Sequence, residues 1–337
     1  MTDIANQLGI SKTTVSFILN GIAKEKGISD KMVKKVEKLV AELGYEPNHF
    51  ARSLRTGKTN IIGLMIENIS DSYFAEVAMY IETFAFENNY RVVYGSTKNN
   101  DDQARGLLRM FWNLGVDGCI VTPTTGLEAD IREYTDKGMK IILFDSYFSS
   151  SPADYIISNN ELGAYIGTKH MINQGCKSIL YVNIKLNQTK IFDREKGYRN
   201  AMTESGLNPA VQSFEFKHSN NYTNELVSFF KDGNEMDGVL FATDYLGISG
   251  LEAFALLKMS IPGDMAVAVL EDNTIFRIYS PSITAIVQPV EELAETATQT
   301  LFQFIKTPVS LKSNKGIILN PALIVRESSL FRIPESS

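Results

Sequence analysis

A short polar pattern near the N-terminus has the residue types that bind a DNA duplex. Residues 11–19 form a helical pattern in which Val15, Ile18 and Leu19 share one face. The side chains at its start, on its opposite face and at its end are those of Ser11, Lys12, Thr13, Ser16, Phe17 and Asn20. Hydroxyl, amide and ammonium groups there can donate to phosphates or base edges. The pattern alone also fits an ordinary helical bundle with a polar surface.

A second stretch, residues 48–58, combines arginines with one leucine. Asn48 is a fair N-cap, residues 51–55 allow one or two helical turns, and Gly57 supplies a stop. So short a helix is marginal alone in water, so we expect it to form only against a partner. Arginines beside Leu54 suit a minor groove, where cations meet phosphates and an apolar wedge enters a base step. An ordinary linker with one stray leucine is the alternative.

Ionisable and aromatic side chains recur where predicted strands end. Ligands of parallel α/β sheets bind at the carboxyl ends of the strands. The candidates are Asp71, Tyr73, Phe74, Asp145, Tyr147, Arg194, Asp244 and Asp272. A carboxylate and a guanidinium facing one polyol each offer two hydrogen bonds, which suits vicinal hydroxyls. Each candidate also has a structural interpretation, as a helix cap, a solvated helix residue or a core aromatic.

Three short helices are predicted to position the first pattern. They cover Thr2–Leu8, residues 11–19 and a run from Ser29 to Gly44, and Gly9 breaks the first from the second. A helix, a tight turn and a second helix with an outward polar face form a helix-turn-helix. The second helix would then enter the major groove of DNA.

Strands and helices alternate over the rest of the chain. The predicted strands are 61–66, 91–94, 118–121, 140–144, 178–182, 211–216, 238–242, 265–270 and 283–287. The predicted helices are 73–88, 101–114, 127–137, 162–174, 194–205, 222–231, 245–259 and 290–305. Continuous apolar strands between helices indicate parallel sheets that are covered on both faces. Two such units of similar size predict two α/β lobes with a cleft between them.

The net charge of −6 hides an asymmetry between the two ends of the chain. Residues 1–60 contain ten Lys and Arg against six Asp and Glu, whereas the remainder contains 23 against 33. A small basic head on a large acidic body indicates that the head meets a polyanion and the body does not.

The composition argues against several other classes of protein. No apolar run approaches the roughly 18 residues of a membrane span, and the first residues lack the pattern of a signal peptide. Cys119 and Cys176 fit buried thiols in a reducing cytoplasm. The histidines lack metal-ligand spacing, and no phosphate-binding loop or nucleophile elbow is present. We therefore expect a cytoplasmic protein without membrane segment, metal, cofactor or enzymatic activity.

Five segments spread over the chain form one combination of motifs. They are TDIANQLGISKTTVSFILNG at 2–21, ELGYEPN at 42–48, ARSLRTGKT at 51–59, IGL at 62–64 and VRESS at 325–329. The combination resembles the lactose-repressor/galactose-repressor (LacI/GalR) family of bacterial transcription regulators, and the resemblance covers essentially the whole chain.

The resemblance implies roles for residues on both sides of the hinge. In that family the hinge becomes a helix on operator DNA, pairs with its twin in the dimer and wedges a leucine into a central CpG step; Leu54 matches that leucine. The other hinge residues implied to contact DNA are Asn48, Ala51, Arg52 and Arg55. Arg194 matches the effector arginine of the family, and Asp272 matches an aspartate that accepts hydrogen bonds from sugar hydroxyls.

The resemblance also implies a domain plan. We expect a helix-turn-helix head at 1–46, a hinge at 47–59 and a periplasmic-binding-protein-like body at 60–337. The N-subdomain would comprise 60–158 and 289–320, and the C-subdomain 159–288 and 321–337. The chain would cross between them near Ser158, Gln288–Pro289 and Asn320.

Two departures from the family pattern matter. Phe17 stands where the family usually has an arginine that reads a guanine, and phenylalanine can only touch a thymine methyl. We therefore expect an operator that differs from the commonest half-site of the family. The family also usually has a threonine cap and a turn before Asp3, so either the start lies upstream or the head is truncated.

These observations predict a ligand-responsive, dimeric transcription regulator that binds a pseudo-palindromic operator and represses carbohydrate genes. Its partners would be double-stranded operator DNA, a sugar or sugar-derivative effector and a second copy of the chain. The same fold controlled by a corepressor or by a partner protein is the alternative. A pure solute-binding protein is disfavoured by the basic head.

Overall fold

The computed structural model describes residues 1–19, 21–44, 57–231, 236–307 and 315–330. The chain divides into two compact units, Met1–Thr59 and Asn60–Ser337. Within the described ranges, no helix is both long enough and apolar enough to cross a lipid bilayer.

The first unit contains α1 (Thr2–Leu8), α2 (Lys12–Leu19) and α3 (Asp30–Glu42). Gly9 ends α1 with φ of +61°, a left-handed conformation that glycine adopts without the Cβ penalty. The apolar faces of the three helices meet in one core, whose buried residues are Ile4, Ala5, Val15, Ile18, Ala23 and Val36. The three predicted helices are thus confirmed.

The second unit contains two lobes, each built on a six-stranded sheet. The sheet of lobe 1 is entirely parallel and has the order β11-β5-β4-β3-β1-β2. Its strands are β1 (Ile61–Ile66), β2 (Arg91–Ser96), β3 (Gly118–Val121), β4 (Ile141–Phe144), β5 (Asp154–Ser158) and β11 (Gly316–Leu319). Its helices are α4 (Ser72–Glu87), α5 (Asp101–Leu114), α6 (Glu128–Asp136) and α12 (Val290–Lys306). Helices α4 and α12 cover one face, and α5 and α6 cover the other.

Lobe 2 repeats this plan with the strand order β12-β10-β9-β8-β6-β7. Its strands are β6 (Ile179–Lys185), β7 (Ala210–Glu215), β8 (Gly238–Phe241), β9 (Ala266–Leu270), β10 (Thr284–Val287) and β12 (Ala322–Ile324). Its helices are α7 (Asn160–Asn173), α8 (Thr189–Glu204), α9 (Thr223–Lys231), α10 (Asp244–Leu257) and α11 (Thr274–Ile278). A single buried core of aliphatic and aromatic side chains joins the sheet to these helices.

The chain passes between the lobes three times. It leaves lobe 1 after β5, returns after β10, and enters lobe 2 again between β11 and β12. The carboxyl ends of β1 and β4 in lobe 1 and of β6, β8 and β9 in lobe 2 therefore border the same cleft, as the residues described below show.

The structure corrects the predicted elements in three respects. Strands β5, β11 and β12 and helix α11 were not predicted, because all four have five residues or fewer and adjoin the crossings or a strand end. Strand β12 is antiparallel to β10, so the second sheet is not purely parallel. Helix α8 begins at Thr189, which places Arg194 in its second turn and not at its start.

Candidate functional site

The outward side of α2 presents the predicted DNA-contacting residues of the head. Ser11 caps the helix, because its Oγ accepts a hydrogen bond from the N–H of Thr14 at 3.0 Å. Lys12 and Thr13 follow in the exposed first turn, and Ser16 is partly exposed. These groups can reach a phosphate or a base edge without disturbing the core of the head.

Phe17 is half-buried, and its ring has a cationic neighbour. The Lys26 ammonium lies 5.5 Å from the ring centroid, a cation–π distance. The position thus combines an apolar surface with a neighbouring positive charge, and the phenyl ring itself has no donor for a guanine. The expected role of Phe17 in reading the operator stays a prediction.

Six of the predicted DNA-contacting residues lie outside the described residues. They are Asn20, Asn48, Ala51, Arg52, Leu54 and Arg55. Their expected roles stay predictions.

In the body, side chains from both lobes close the cleft directly. The Lys190 ammonium of lobe 2 lies 2.7 Å from Asp145 Oδ2 and 3.7 Å from Glu67 Oε2 of lobe 1. Ser146 Oγ and Thr189 Oγ1 are 2.9 Å apart, and Gln188 Nε2 donates to Asn99 Oδ1 at 2.9 Å. Lys190 also lies 5.5 Å from the ring centroid of Phe74. The two lobes are therefore joined by charged and polar contacts at the predicted ligand position.

Two cavities border these contacts. The inner one has a volume of about 20 Å³ and is lined by Glu67, Asp71, Tyr73, Phe74, Ile184, Leu186, Lys190, Ile191, Thr243, Tyr245 and Glu271. The outer one has a volume of about 530 Å³, which is within the usual size of a small-molecule site. Tyr73 and Glu271 line both cavities, so the two are adjacent.

Arg194 is buried, with 2% of its surface exposed, and three acceptors surround its guanidinium. Nε donates to Asn160 Oδ1 at 2.8 Å, Nη1 to the Ala242 carbonyl at 2.6 Å, and Nη2 to Glu271 Oε1 at 2.7 Å. Gly197, one turn further on, allows α7 and α8 to approach closely, since a Cβ there would collide with the Glu161 carbonyl. The helix contact thus fixes Arg194 at the base of the cleft.

The carboxylate that faces Arg194 is Glu271, one residue before the predicted Asp272. Glu271 has φ of +116°, a region that non-glycine residues rarely adopt and that costs about 1–3 kcal/mol. Burial raises the pKa of Glu271, and Arg194 partly opposes that shift. Backbone strain of this kind clusters at functional sites.

Asp272 is directed to the other side of the chain and pairs with two other arginines. Its two oxygens accept from Arg326 Nη1 and Nη2, each at 2.8 Å, and Oδ2 also accepts from Arg277 Nε at 2.9 Å. Burial alone would raise the pKa of Asp272, but the two arginines lower it overall. Successive side chains at a strand end point in opposite directions, so a shift of one residue exchanges the two carboxylates. Asp272 does line the outer cavity, and its expected effector role stays a prediction.

The remaining predicted residues of lobe 1 have different environments. Asp71 caps α4 by accepting from the Tyr73 N–H at 2.9 Å, and Tyr73 and Phe74 line the inner cavity. Asp145 pairs with Lys190, as described, and has φ of +65°. The Tyr147 ring instead stacks on Tyr155 at 4.5 Å and lines neither cavity.

Asp244 of lobe 2 reaches across the cleft mouth. Its Oδ2 accepts from Ser72 Oγ of lobe 1 at 3.3 Å and from Asn273 Nδ2 at 2.9 Å. Four of the eight predicted effector residues, Asp71, Tyr73, Phe74 and Asp272, thus line the two cavities. Asp145, Arg194 and Asp244 contact lining residues, and the Tyr147 ring lines neither cavity. Sequence reasoning missed Glu67, Lys190 and Glu271; the signal for all three was a charged residue within five positions of a strand end.

Comparisons with known proteins agree with both units. Residues 1–48 match the bacterial regulatory proteins of the lacI family, and residues 168–329 match the periplasmic binding protein-like domain. The chain is 30% identical to the ribose operon repressor of Haemophilus influenzae over 334 residues, which are 97% of this chain and 98% of that protein. It is 26% identical to the HTH-type transcriptional repressor PurR of Glaesserella parasuis, with 97% of each protein covered.

A solved structure supports the fold over nearly the whole length. The Lac repressor dimer bound to operator and the anti-inducer ONPF matches with a TM-score of 0.86 and 21% identity, and 98% of each chain is covered. The expected fold class, a helix-turn-helix head before a two-lobed body like that of periplasmic binding proteins, is thereby confirmed. The chain belongs to the LacI family of bacterial regulatory proteins, and it is a DNA-binding transcriptional regulator that responds to an effector.

Proposed function

We propose that this regulator binds a pseudo-palindromic operator as a homodimer and represses carbohydrate-related genes until a sugar binds the cleft of the body. The observation that carries this proposal is the closed cleft, where Lys190, Asp145 and Glu67 join the lobes at the carboxyl ends of their strands. A ligand that enters there must compete with these contacts. It therefore has different affinities for the joined and the parted lobes, which is what effector control requires.

The head supports the DNA-binding half of the proposal. Ser11 caps α2, and Lys12 and Thr13 lie in its first turn, the part of a recognition helix that meets base edges. We assign head, hinge and body to residues 1–46, 47–59 and 60–337. In the hinge, Leu54 would enter the central base step while Arg52 and Arg55 contact phosphates.

A sugar effector is supported by the polar groups of the cleft. Arg194 and Glu271 lie side by side at its base, Asp71 lines the inner cavity, and Asp244 reaches across the cleft to Ser72. Carboxylates accept hydrogen bonds from hydroxyl groups, and such groups fix the orientation of a polyol. The relative from Haemophilus influenzae is named for a sugar operon, which agrees with this class of effector.

A homodimer is supported by large apolar side chains on the surface of the body. Their exposed fractions reach 60% at Phe86, 67% at Leu256 and 75% at Ile278. A second copy of the chain packed against such side chains would remove them from water. A second copy would also bring two heads to the two halves of one operator.

The test is a selection of random duplex DNA on the purified protein, followed by sequencing of the retained fraction. A palindrome with a central CpG is expected, and pentoses and hexoses are then screened for release of that DNA. The Phe17→Arg variant should shift the preferred half-site toward a guanine, because arginine donates two hydrogen bonds to that base. Recovery of no consensus would contradict operator binding, whereas a stable complex that no sugar affects would favour a corepressor or a partner protein.

A further inference from the structure

The cleft of the body contains more negative than positive charge. Glu67, Asp71 and Glu271 line the inner cavity together with Lys190. Two further carboxylates adjoin it: Asp145 contacts Lys190, and Asp244 acts electrostatically on Asp71. With Arg194, the cleft therefore has five carboxylates and two cations.

Both cations are already paired. Lys190 forms ion pairs with Asp145 and Glu67, and Arg194 forms one with Glu271. Asp71 and Asp244 accept hydrogen bonds from neutral groups alone in the described part of the chain. Burial, and then the neighbouring Asp244, Glu271 and Glu67 carboxylates, raise the pKa of Asp71 to about 8. No cation among the described residues balances these two groups, so Asp71 holds a proton below about pH 8, which a bound cation would displace.

The outer cavity has the same sign of charge. Its acidic lining residues are Glu76, Glu271, Asp272, Glu291, Glu292 and Glu295. Arg277 is the one basic residue among the described residues of this lining, and it pairs with Asp272. A cleft lined by one sign of charge raises the local concentration of ligands of the opposite sign. An anionic ligand would therefore be repelled by the carboxylates as it passes through the outer cavity to the inner one.

One buried polar atom independently indicates a ligand at this place. Gln288 exposes 8% of its surface, and its Oε1 has no hydrogen-bond partner among the described residues. Tyr73 exposes 9%, and the acceptor near its Oη is Asp145. Tyr73 lines both cavities and Gln288 lines the outer one. A buried atom such as Gln288 Oε1 is costly unless a bound group satisfies it.

We propose that the effector is a polyol with a protonated amine, an amino sugar, whose ammonium binds between Asp71 and Asp244 while its hydroxyl groups reach Tyr73 Oη and Gln288 Oε1. This inference rests on the proposed function, because it assigns a chemical class to the sugar of that cleft. The ammonium supplies the cation that the two carboxylates lack. Neutral sugars can make the hydroxyl contacts alone, and sugar phosphates are excluded by charge.

The test compares matched ligands on the full-length protein by titration calorimetry. Glucosamine, galactosamine and mannosamine are each compared with the parent hexose and with its 6-phosphate. For at least one of the three, the amine should bind at least tenfold more tightly than the parent, and no phosphate should bind. Asp71→Asn keeps a helix-capping oxygen but removes the charge, so it should reduce that preference to threefold or less. Asp102→Asn removes an exposed carboxylate at the start of α5 and should leave the preference unchanged.

Operator retention, measured on the same preparations, separates the two proposals. A parent hexose or a phosphate that binds as tightly as every amine would overturn the amino-sugar assignment, and so would absence of binding by all three amines. If neutral sugars still release operator DNA, the proposed function stands without the amine. Failure of the wild-type protein to bind any operator would instead contradict the proposed function itself.

Discussion

The two lobes share one strand order but balance their cleft charges differently. In lobe 2, Glu271 pairs with Arg194, and Asp272 pairs with Arg326 and Arg277, all within the same lobe. In lobe 1, the described part of the chain supplies no such cation to Glu67, Asp71 or Asp145. Asp145 and Glu67 instead form ion pairs with Lys190 of lobe 2, and Asp71 accepts a hydrogen bond from a backbone N–H.

This difference indicates which interactions hold each lobe and which hold the cleft closed. The ion pairs of lobe 2 stabilise that lobe whether or not the cleft is open. The carboxylates of lobe 1 are neutralised only when the lobes meet, so their electrostatic energy depends on the angle between the lobes. A ligand that replaces Lys190 as the cation of lobe 1 could therefore alter that angle. Four substitutions test the comparison.

Arg194→Met should have the largest effect on stability. It leaves Glu271 buried without a cation and removes three hydrogen bonds at once, so the free energy of unfolding should fall by about 3–5 kcal/mol. Urea denaturation of the purified protein measures this change. Arg199→Met, one turn later and half-exposed, removes only a surface pair with Glu195 and should cost about 1 kcal/mol or less. Equal losses for the two variants would contradict an internally balanced lobe 2.

Lys190→Met should have a smaller effect on stability and a larger one on shape. The lobes can part and let water reach Asp145 and Glu67, so we expect a loss of about 1–3 kcal/mol, below the full cost of a buried unpaired charge. Small-angle X-ray scattering should show a larger radius of gyration for this variant. Lys196→Met, on the exposed side of the same helix, should leave both quantities unchanged. An unaltered radius for Lys190→Met would mean that other contacts close the cleft.

Asp272→Asn tests whether Asp272 stabilises lobe 2 through its pairing with Arg326. The free energy of unfolding should fall by about 1–2 kcal/mol, because the variant weakens charge-assisted hydrogen bonds to Arg326. The lowered pKa of Asp272 gives stability that is present above pH 4 and is lost as the pH falls through the folded-state pKa. The difference from the wild type should therefore shrink in acid. Arg326→Met should reproduce the loss, whereas Arg277→Met, at the exposed partner, should have little effect. Loss of the effector response in Asp272→Asn, with Arg326→Met unaffected, would support the ligand role first expected for Asp272.

The contrast between Asp272 and Glu271 also indicates what the sequence could predict. Apolar runs such as Gly118–Val121 and Ile141–Phe144 revealed the buried strands, because parallel strands covered on both faces have continuous apolar sequence. The cleft followed from the rule that ligands bind at strand ends. Which of the two adjacent acids pairs with Arg194 depends on the φ of +116° at Glu271, a tertiary feature without a sequence signal.

Lys190 was missed for a related reason. Helix α8 has no side-chain cap at Gln188, so its start has no sequence signal, and the predicted helix began five residues late at Arg194. From the sequence alone, a lysine just before a predicted helix is interpreted as a solvent-exposed residue. Only the approach of lobe 1 gives it two carboxylate partners, and contacts between lobes cannot be derived from local patterns.

Asp71→Asn should have an effect of the opposite sign, a gain in stability. The pKa of Asp71 is raised to about 8 in the folded protein, whereas the carboxyl group of an unfolded chain ionises near pH 4. Between these two values the folded state holds a proton that the unfolded chain has lost, so the wild type loses stability as the pH rises from about 4 to about 8. Asparagine does not titrate, so the free energy of unfolding of the variant should rise relative to that of the wild type as the pH increases through this range. Thermal unfolding at pH 5, 6.5 and 8 measures the gain, with Asp102→Asn as the control. A gain independent of pH would mean that Asp71 is ionised throughout, and that lobe 1 does not depend on a proton or a cation from outside it.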